Sequence, residues 1–234
     1  MDTTIVFSGG PVPTPTERSA LSRRIDGVDI ARVVAADSGI LLADALGMAL
    51  VAGRDLLLGD MDSIGAARLA EVEDAGVSVE RFPTDKDATD LELALDDAVA
   101  HATPGDHLVV VGTTAGRFDH VLSMLSTVSA HRYERVVRDV WLGADVVHVV
   151  DAGIGSPRSL LLPTGATFSL LATQGPAIGV TVDHARWALH GETLEVGTSR
   201  GISNESTGDA VTVACERGTL LVVVPGATES GDAR

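Results

Sequence analysis

Short β-branched runs alternate with helical periodicity along the first two-thirds of the chain. Residues 4–7, 32–36, 55–58, 78–82 and 107–111 are apolar or β-branched stretches of strand length, and the first two end near Gly or Asp. Between strand-like runs, Leu91, Ala94, Leu95, Ala98 and Val99 recur at the i, i+3, i+4, i+7, i+8 positions of one helix face. Phe118, Val121, Leu122 and Leu125 repeat in the same way. Strands that alternate with helices predict a mainly parallel sheet with helices packed on its faces. Past about residue 153 the rhythm changes to short apolar runs at 159–162, 167–172, 179–182, 193–196, 210–215 and 219–224, separated by Gly, Pro, Asn and Asp. Regularly spaced strands with turn signals and no long helical pattern predict a β-sandwich or barrel-like domain. The expected class is α/β, with a first domain over 1–152, a β-sandwich domain over 153–234 and a boundary within 151–157. The small, polar tail from Gly226 is expected to fray.

Composition sharpens this picture in three respects. Apolar residues make up 45% of the 234 positions but aromatics only 3%, so the core must be built from Val, Leu, Ile and Ala. That suits buried strands packed on Ala-rich helices. Seventeen Lys and Arg against 33 Asp and Glu leave a formal charge of −16, with no basic run, which argues against nucleic acid and anionic membrane as partners. The single cysteine, Cys215, lies in an apolar stretch and reads as an inert core residue; one cysteine fits a reducing compartment. The N-terminal stretch has no basic segment followed by a long apolar one, and the expected location is cytoplasmic.

The chemistry-bearing residues cluster after the strand-like runs, where an open parallel sheet places its ligands. No GxxxxGK[ST] and no GxGxxG follow the first strand; Gly9-Gly10 there is a turn signal at which backbone can approach a phosphate. Four acidic groups stand out: Ala36-Asp37-Ser38-Gly39, Gly59-Asp60-Met61-Asp62-Ser63, the run from Thr84 to Asp90, and Gly116-Arg117-Phe118-Asp119-His120. Asp60 and Asp62 are spaced to share a hard cation, and Mg²⁺ takes one or two carboxylates together with phosphate oxygens and waters. The competing reading makes them turn residues, with Ser63 capping the next helix. Thr89-Asp90-Leu91-Glu92 matches a helix-capping box, which accounts for Thr89 and Glu92 but not for Asp85, Lys86, Asp87 and Asp90 crowding the same point. Asp90 can join Asp60 and Asp62 around a metal, and Lys86 can meet a phosphate as a point charge. Arg117 and Asp119 begin a helical pattern, as a phosphate contact and a support for metal or ribose; His120 reads either as a catalyst or as a structural histidine.

Three motifs in this order, Gly-Asp-x-Asp-Ser (59–63), Lys-Asp-x-Thr-Asp (86–90) and Gly-Arg-x-Asp-His (116–120), resemble the catalytic domain of the thiamine pyrophosphokinase family. Arg186-Trp187 and Ser199-Arg200-Gly201-Ile202-Ser203-Asn204-Glu205 resemble that family's second-domain thiamine motif. The resemblance implies an α/β nucleotide domain followed by a β-sandwich, a homodimer with its active site near the interface, and conversion of ATP and thiamine to AMP and thiamine diphosphate with Mg²⁺. It places Asp60, Asp62 and Asp90 as catalytic metal-holding residues. Asp37, Ser63, Lys86, Asp87, Arg117, Asp119 and His120 then fall on the nucleotide side, and Trp187, Arg200, Ser203 and Asn204 on the thiamine side. This chain departs from the family at Asp37-Ser38-Gly39-Ile40, where the usual pattern is Asp-Gly-Gly-Ala, at Ala185-Arg186, where it is Gly-Leu-Lys, and at Ala115-Gly116-Arg117, where it is Gly-Gly-Arg. The alternatives are another Mg-dependent nucleotide-using transferase built on Asp60 and Asp62, and a thiamine or nucleotide sensor without turnover.

Overall fold

The computed structural model describes residues 1–227. By contact, the chain falls into two compact units: Met1–Met124 with Trp141–Gly143, and Leu125–Val140 with the chain from Ala144 onward. Beyond residue 227, the tail expected to fray lies outside the described residues.

The first unit holds β1 (Thr3–Phe7), α1 (Pro15–Ile25), β2 (Ile30–Ala36), α2 (Gly39–Ala45), β3 (Leu56–Gly59), α3 (Ala66–Asp74), β4 (Ser78–Arg81), α4 (Asp90–Ala100), β5 (His107–Gly112) and the start of α5 (Phe118–Val128). Its strands lie in the order β4-β3-β2-β1-β5 and every pair is parallel. Ile5 sits opposite both Val33 and Val109, and all three are buried, as expected of a sheet covered on both faces. The apolar stripe of α4 does the covering: Ala94, Leu95, Ala98 and Val99 are buried, and the helix contacts β1, β2 and β3. From β1 the chain steps outward through β2, β3 and β4, then returns to place β5 on the other side of β1. The carboxyl ends of β1 and β5 therefore flank a topological switch point, where loops diverge and leave a crevice.

The second unit is antiparallel. It holds β6 (Val137–Leu142, whose last two residues count with the first unit), β7 (Asp145–Asp151), β8 (Arg158–Leu160), β9 (Thr167–Ala172), β10 (Ala177–Asp183), β11 (Leu189–Leu194), β12 (Asn204–Glu205), β13 (Val211–Ala214) and β14 (Thr219–Val224). One sheet runs β6-β7-β14-β9-β12 and the other β11-β10-β13-β8, with contacts between β13 and β7. Alternation along β9 buries Phe168 and Leu170, and β13 buries Val211 and Val213. Cys215 is buried, and desolvation pushes its thiol up to about 11, in keeping with an inert core residue.

Two polar networks cross this apolar interior. Arg138 is fully buried; its guanidinium pairs with Asp151 and donates to the carbonyls of Val128 and Ala130 at 2.7 and 2.9 Å. Asp139 accepts from His148 Nδ1 at 2.8 Å and from Arg158 at 2.6 Å.

The fold class is α/β as expected, with a parallel-rich N-terminal sheet followed by antiparallel C-terminal sheets. Some elements differ in detail. The strand expected over 193–196 is β11, which ends at Leu194. Ser63 does not cap α3, which begins at Ala66 behind Gly65. No described helix is long and apolar enough to cross a membrane.

Candidate functional site

A cavity of about 800 Å³ opens at the carboxyl edge of the parallel sheet. Its walls come from the segments that follow β1, β2, β3, β4 and β5: Ser8, Gly9 and Gly10; Asp37 and Ser38; Asp60, Asp62 and Ser63; Thr84, Lys86 and Asp90; and Thr113, Gly116, Arg117 and His120. Residues separated by more than a hundred positions, Ser8 and His120 among them, meet here because every strand points the same way.

Three carboxylates converge. Asp37, Asp60 and Asp90 each offer an oxygen, and these oxygens all lie within 4.8 Å of one another. Asp37 is held in left-handed backbone (φ 46°), and its N–H donates to the carbonyl of Leu58 at 2.7 Å. The backbone of Gly59, at φ 141°, passes so close that a Cβ there would lie 3.0 Å from Asp37 Cβ. Glycine at that position lets the ends of β2 and β3 bring Asp37 and Asp60 together. Met61, also at positive φ (64°), buries its side chain among Ile40, Leu57 and Ile64 and so turns the two aspartates beside it outward from the core.

The electrostatics differ among the three. Asp60 accepts from the Asp62 N–H at 3.2 Å, and that bond, with help from Thr84 and Lys86, holds its carboxyl below the usual range. Asp90 sits at the first turn of α4, behind an N-cap at which Thr89 accepts from the Glu92 N–H. Desolvation pushes the Asp90 carboxyl up; Lys86, 3.1 Å away, opposes this, while Asp60 and Asp37 add to it. One oxygen of Asp37 is buried without a hydrogen-bond partner. Crowded carboxylates, one with an orphaned oxygen, form a hard, anionic donor set that fits a divalent cation such as Mg²⁺.

Of the residues singled out from the sequence, Asp37, Asp60, Asp62, Ser63, Lys86, Asp90, Arg117 and His120 line the cavity. Asp37, placed on the nucleotide side by the motifs, stands in the carboxylate cluster. Asp62 lines the wall, but its Oδ1 accepts from Ser63 at 2.9 Å and it is not one of the three that converge. Asp87 and Asp119 are exposed and outside the lining; Asp119 pairs with Arg117 at 2.5 Å.

Glu17 is a residue that sequence patterning missed. It is buried at the start of α1, where Thr14 and Glu17 form a capping box. One carboxylate oxygen accepts from the Thr14 N–H and hydroxyl at 2.9 and 2.8 Å. The other accepts from the Thr114 N–H and hydroxyl, both at 3.1 Å, and so ties α1 to the β5–α5 loop of the cavity wall. Burial opposes its charge, but these four bonds outweigh that and hold the carboxyl below its ordinary value. The Thr-x-x-Glu box at 14–17 was readable; the bonds to Thr114, 97 positions away, were not.

In the second unit, Trp187 lies on the β10–β11 loop, 53% exposed as a residue, with the Arg186 guanidinium 4.8 Å from its ring centroid. Asn204 is buried at the start of β12 and hydrogen-bonds to the Trp187 backbone. Ser203 is in left-handed backbone (φ 58°), and Arg200 pairs with Glu192.

Comparison with known proteins gives a consistent answer. Residues 29–140 match the family described as "Thiamin pyrophosphokinase, catalytic domain", and residues 157–220 match "Thiamin pyrophosphokinase, vitamin B1 binding domain". A thiamine pyrophosphokinase of Bacillus subtilis (strain 168) is 32% identical over 125 residues; that alignment covers 52% of this chain and 52% of the relative, about half the length of each. The crystal structure of thiamine pyrophosphokinase from Bacillus subtilis superposes with a TM-score of 0.76 at 21% identity, over 95% of this chain and 98% of that one. The enzyme from Candida albicans superposes with a TM-score of 0.72 at 13% identity, over 95% and 89% of the two chains. At such identities the structural likeness speaks for a shared fold.

Proposed function

The chain belongs to the thiamin pyrophosphokinase family, and from that premise we propose that it transfers a pyrophosphoryl group from ATP to the hydroxyl of thiamine, giving thiamine diphosphate and AMP. The observation that carries this reading is the convergence of Asp37, Asp60 and Asp90 in a cavity at the switch point of a parallel sheet, within a chain that matches both domain families. Residues 1–152 serve ATP and metal, and 153–234 serve thiamine.

Pyrophosphoryl transfer asks for positioning and charge neutralisation rather than covalent chemistry. Asp60 and Asp90, with Asp37 beside them and Asp62 at the rim, are the residues to hold Mg²⁺. When bound, Mg²⁺ supplies Lewis-acid neutralisation of the phosphate oxygens. Lys86, paired with Asp90, is poised to meet a phosphate oxygen as a point charge, and Arg117 and His120 extend the same wall. Ser63, Asp87 and Asp119 stay on the nucleotide side as supports, Asp119 through its pair with Arg117. On the thiamine side, Trp187 offers an exposed indole to a cationic ring, a contact worth about 0.5–2 kcal/mol. Arg200, Ser203 and Asn204 shape its surroundings. The resemblance extends the proposal to a cytoplasmic homodimer with the site near its interface.

The test is metal dependence combined with substitution. Chelation should abolish AMP release and added Mg²⁺ should restore it. Asp60→Asn and Asp90→Asn should each cut turnover at least a hundredfold, roughly 2.7 kcal/mol of barrier, without loss of folded structure by circular dichroism. Turnover within a few-fold of the parent would remove these carboxylates from the metal site.

A further inference from the structure

We propose that Asn204 is a positioning residue that fixes Trp187 from behind, so that the indole presents one face to the thiamine ring while Arg186 occupies the other. The proposal rests on the reading of Trp187 as a thiamine contact.

The Asn204 amide is almost entirely committed to backbone. Its Oδ1 accepts from the N–H groups of Trp187 at 3.1 Å and Glu205 at 2.9 Å, and its Nδ2 donates to the Trp187 carbonyl at 2.9 Å. A carboxamide has two acceptor sites and two donor hydrogens; three of the four are used here, leaving a single N–H. Both polar backbone groups of Trp187 are satisfied by this one side chain. Asn204 is also buried, so losing it would strand groups with no ready access to water.

The surrounding backbone explains why a side chain is needed. The loop before β11 pairs with β12 and the residues just after it, through an Arg186 N–H to Glu205 carbonyl bond and a Thr207 N–H to His184 carbonyl bond, both 2.8 Å. Asn204 supplies the next rung of this ladder, to Trp187. Asn204 is itself held in register by β9: it pairs opposite Phe168, and the neighbouring Ser203 N–H donates to Ser169 Oγ at 3.0 Å. Upstream, Gly201 passes so close to β9 that a Cβ would lie 2.3 Å from the Leu170 carbonyl oxygen. The Gly201–Asn204 stretch is thus a brace for Trp187 rather than a row of ligand contacts.

Arg186 completes the arrangement. Its guanidinium lies 4.8 Å from the Trp187 ring centroid and 3.4 Å from Glu205 Oε2, which anchors it. A cation already on one face leaves the opposite face for a cationic heteroaromatic ring.

Fluorescence tests this directly. In a Trp141→Phe background, Trp187 is the sole indole. Asn204→Ala should raise acrylamide quenching of Trp187, weaken thiamine binding about tenfold and leave the KM for ATP within twofold. Asn204→Asp keeps the two acceptor bonds and should recover part of the loss; it also carries the test if the alanine variant folds poorly. In a Trp187→Ala background, Asn204→Ala should add less than twofold to the thiamine constant, because it acts through the indole. An unchanged Trp187 signal in Asn204→Ala, or a full tenfold loss persisting without Trp187, would overturn the proposal. A looser indole in a protein whose parent shows no response to thiamine would uphold the brace and instead sink the assignment of thiamine to Trp187.

Discussion

At the residue scale, Glu17 and the aspartate cluster make separable claims. Glu17 carries a capping box on one oxygen and the cavity-wall loop on the other. Its folded pKa is held below the ordinary glutamate value, so its stabilisation is complete above that ordinary value and is lost as pH falls through the lower folded value. Glu17→Gln puts an amide donor against N–H groups that need an acceptor, and should cost about 1–3 kcal/mol near neutral pH. Urea titrations at several pH values should show the difference between parent and variant shrinking as the pH falls below the ordinary glutamate range, the direction set by linkage. A constant difference would mean that the carboxylate charge is not what holds the loop. Within the cluster, Asp37 converges with Asp60 and Asp90 whereas Asp62 does not. Asp37→Asn should therefore raise the Mg²⁺ concentration for half-maximal turnover at least as much as Asp62→Asn does. The reverse order would return Asp62 to the place that its Asp-x-Asp spacing suggested.

At the element scale, what was legible depended on whether the signal was local. The stripe Leu91 to Val99 is α4, and the β-branched runs are strands of the parallel sheet, because periodicity reports burial directly. Ser63 looked like a helix cap from its position after Asp-Met-Asp, yet α3 starts three residues later and the hydroxyl serves Asp62. The two-residue β12 carries no periodicity at all; it exists because Asn204 and Glu205 sit opposite Phe168 and Thr167. Asp37 entered the carboxylate cluster through the parallel register of β2 and β3, which no sequence spacing encodes. The same limit hid the buried pair on β6 and β7. Arg138 also holds the end of α5, through the carbonyls of Val128 and Ala130. Burial pulls its guanidinium pKa down to about 10, a measure of how much it needs a partner. Asp151→Ala should strip that partner and destabilise the protein by about 3–5 kcal/mol. A melting temperature within a degree or two of the parent would mean that water reaches Arg138.

At the scale of the whole molecule, a cavity lined by convergent carboxylates would need cations to accept the triphosphate of the proposed reaction. The two rival functions differ in their products. A transferase acting on another acceptor would release AMP or a related leaving group without consuming thiamine, and a sensor would bind without releasing anything. The deciding measurement is therefore product stoichiometry: the purified protein incubated with ATP, Mg²⁺ and thiamine, with nucleotides and thiamine species separated by chromatography. Thiamine diphosphate and AMP should appear in equal amounts. ADP together with thiamine monophosphate, or bound thiamine with no AMP formed, would contradict pyrophosphoryl transfer.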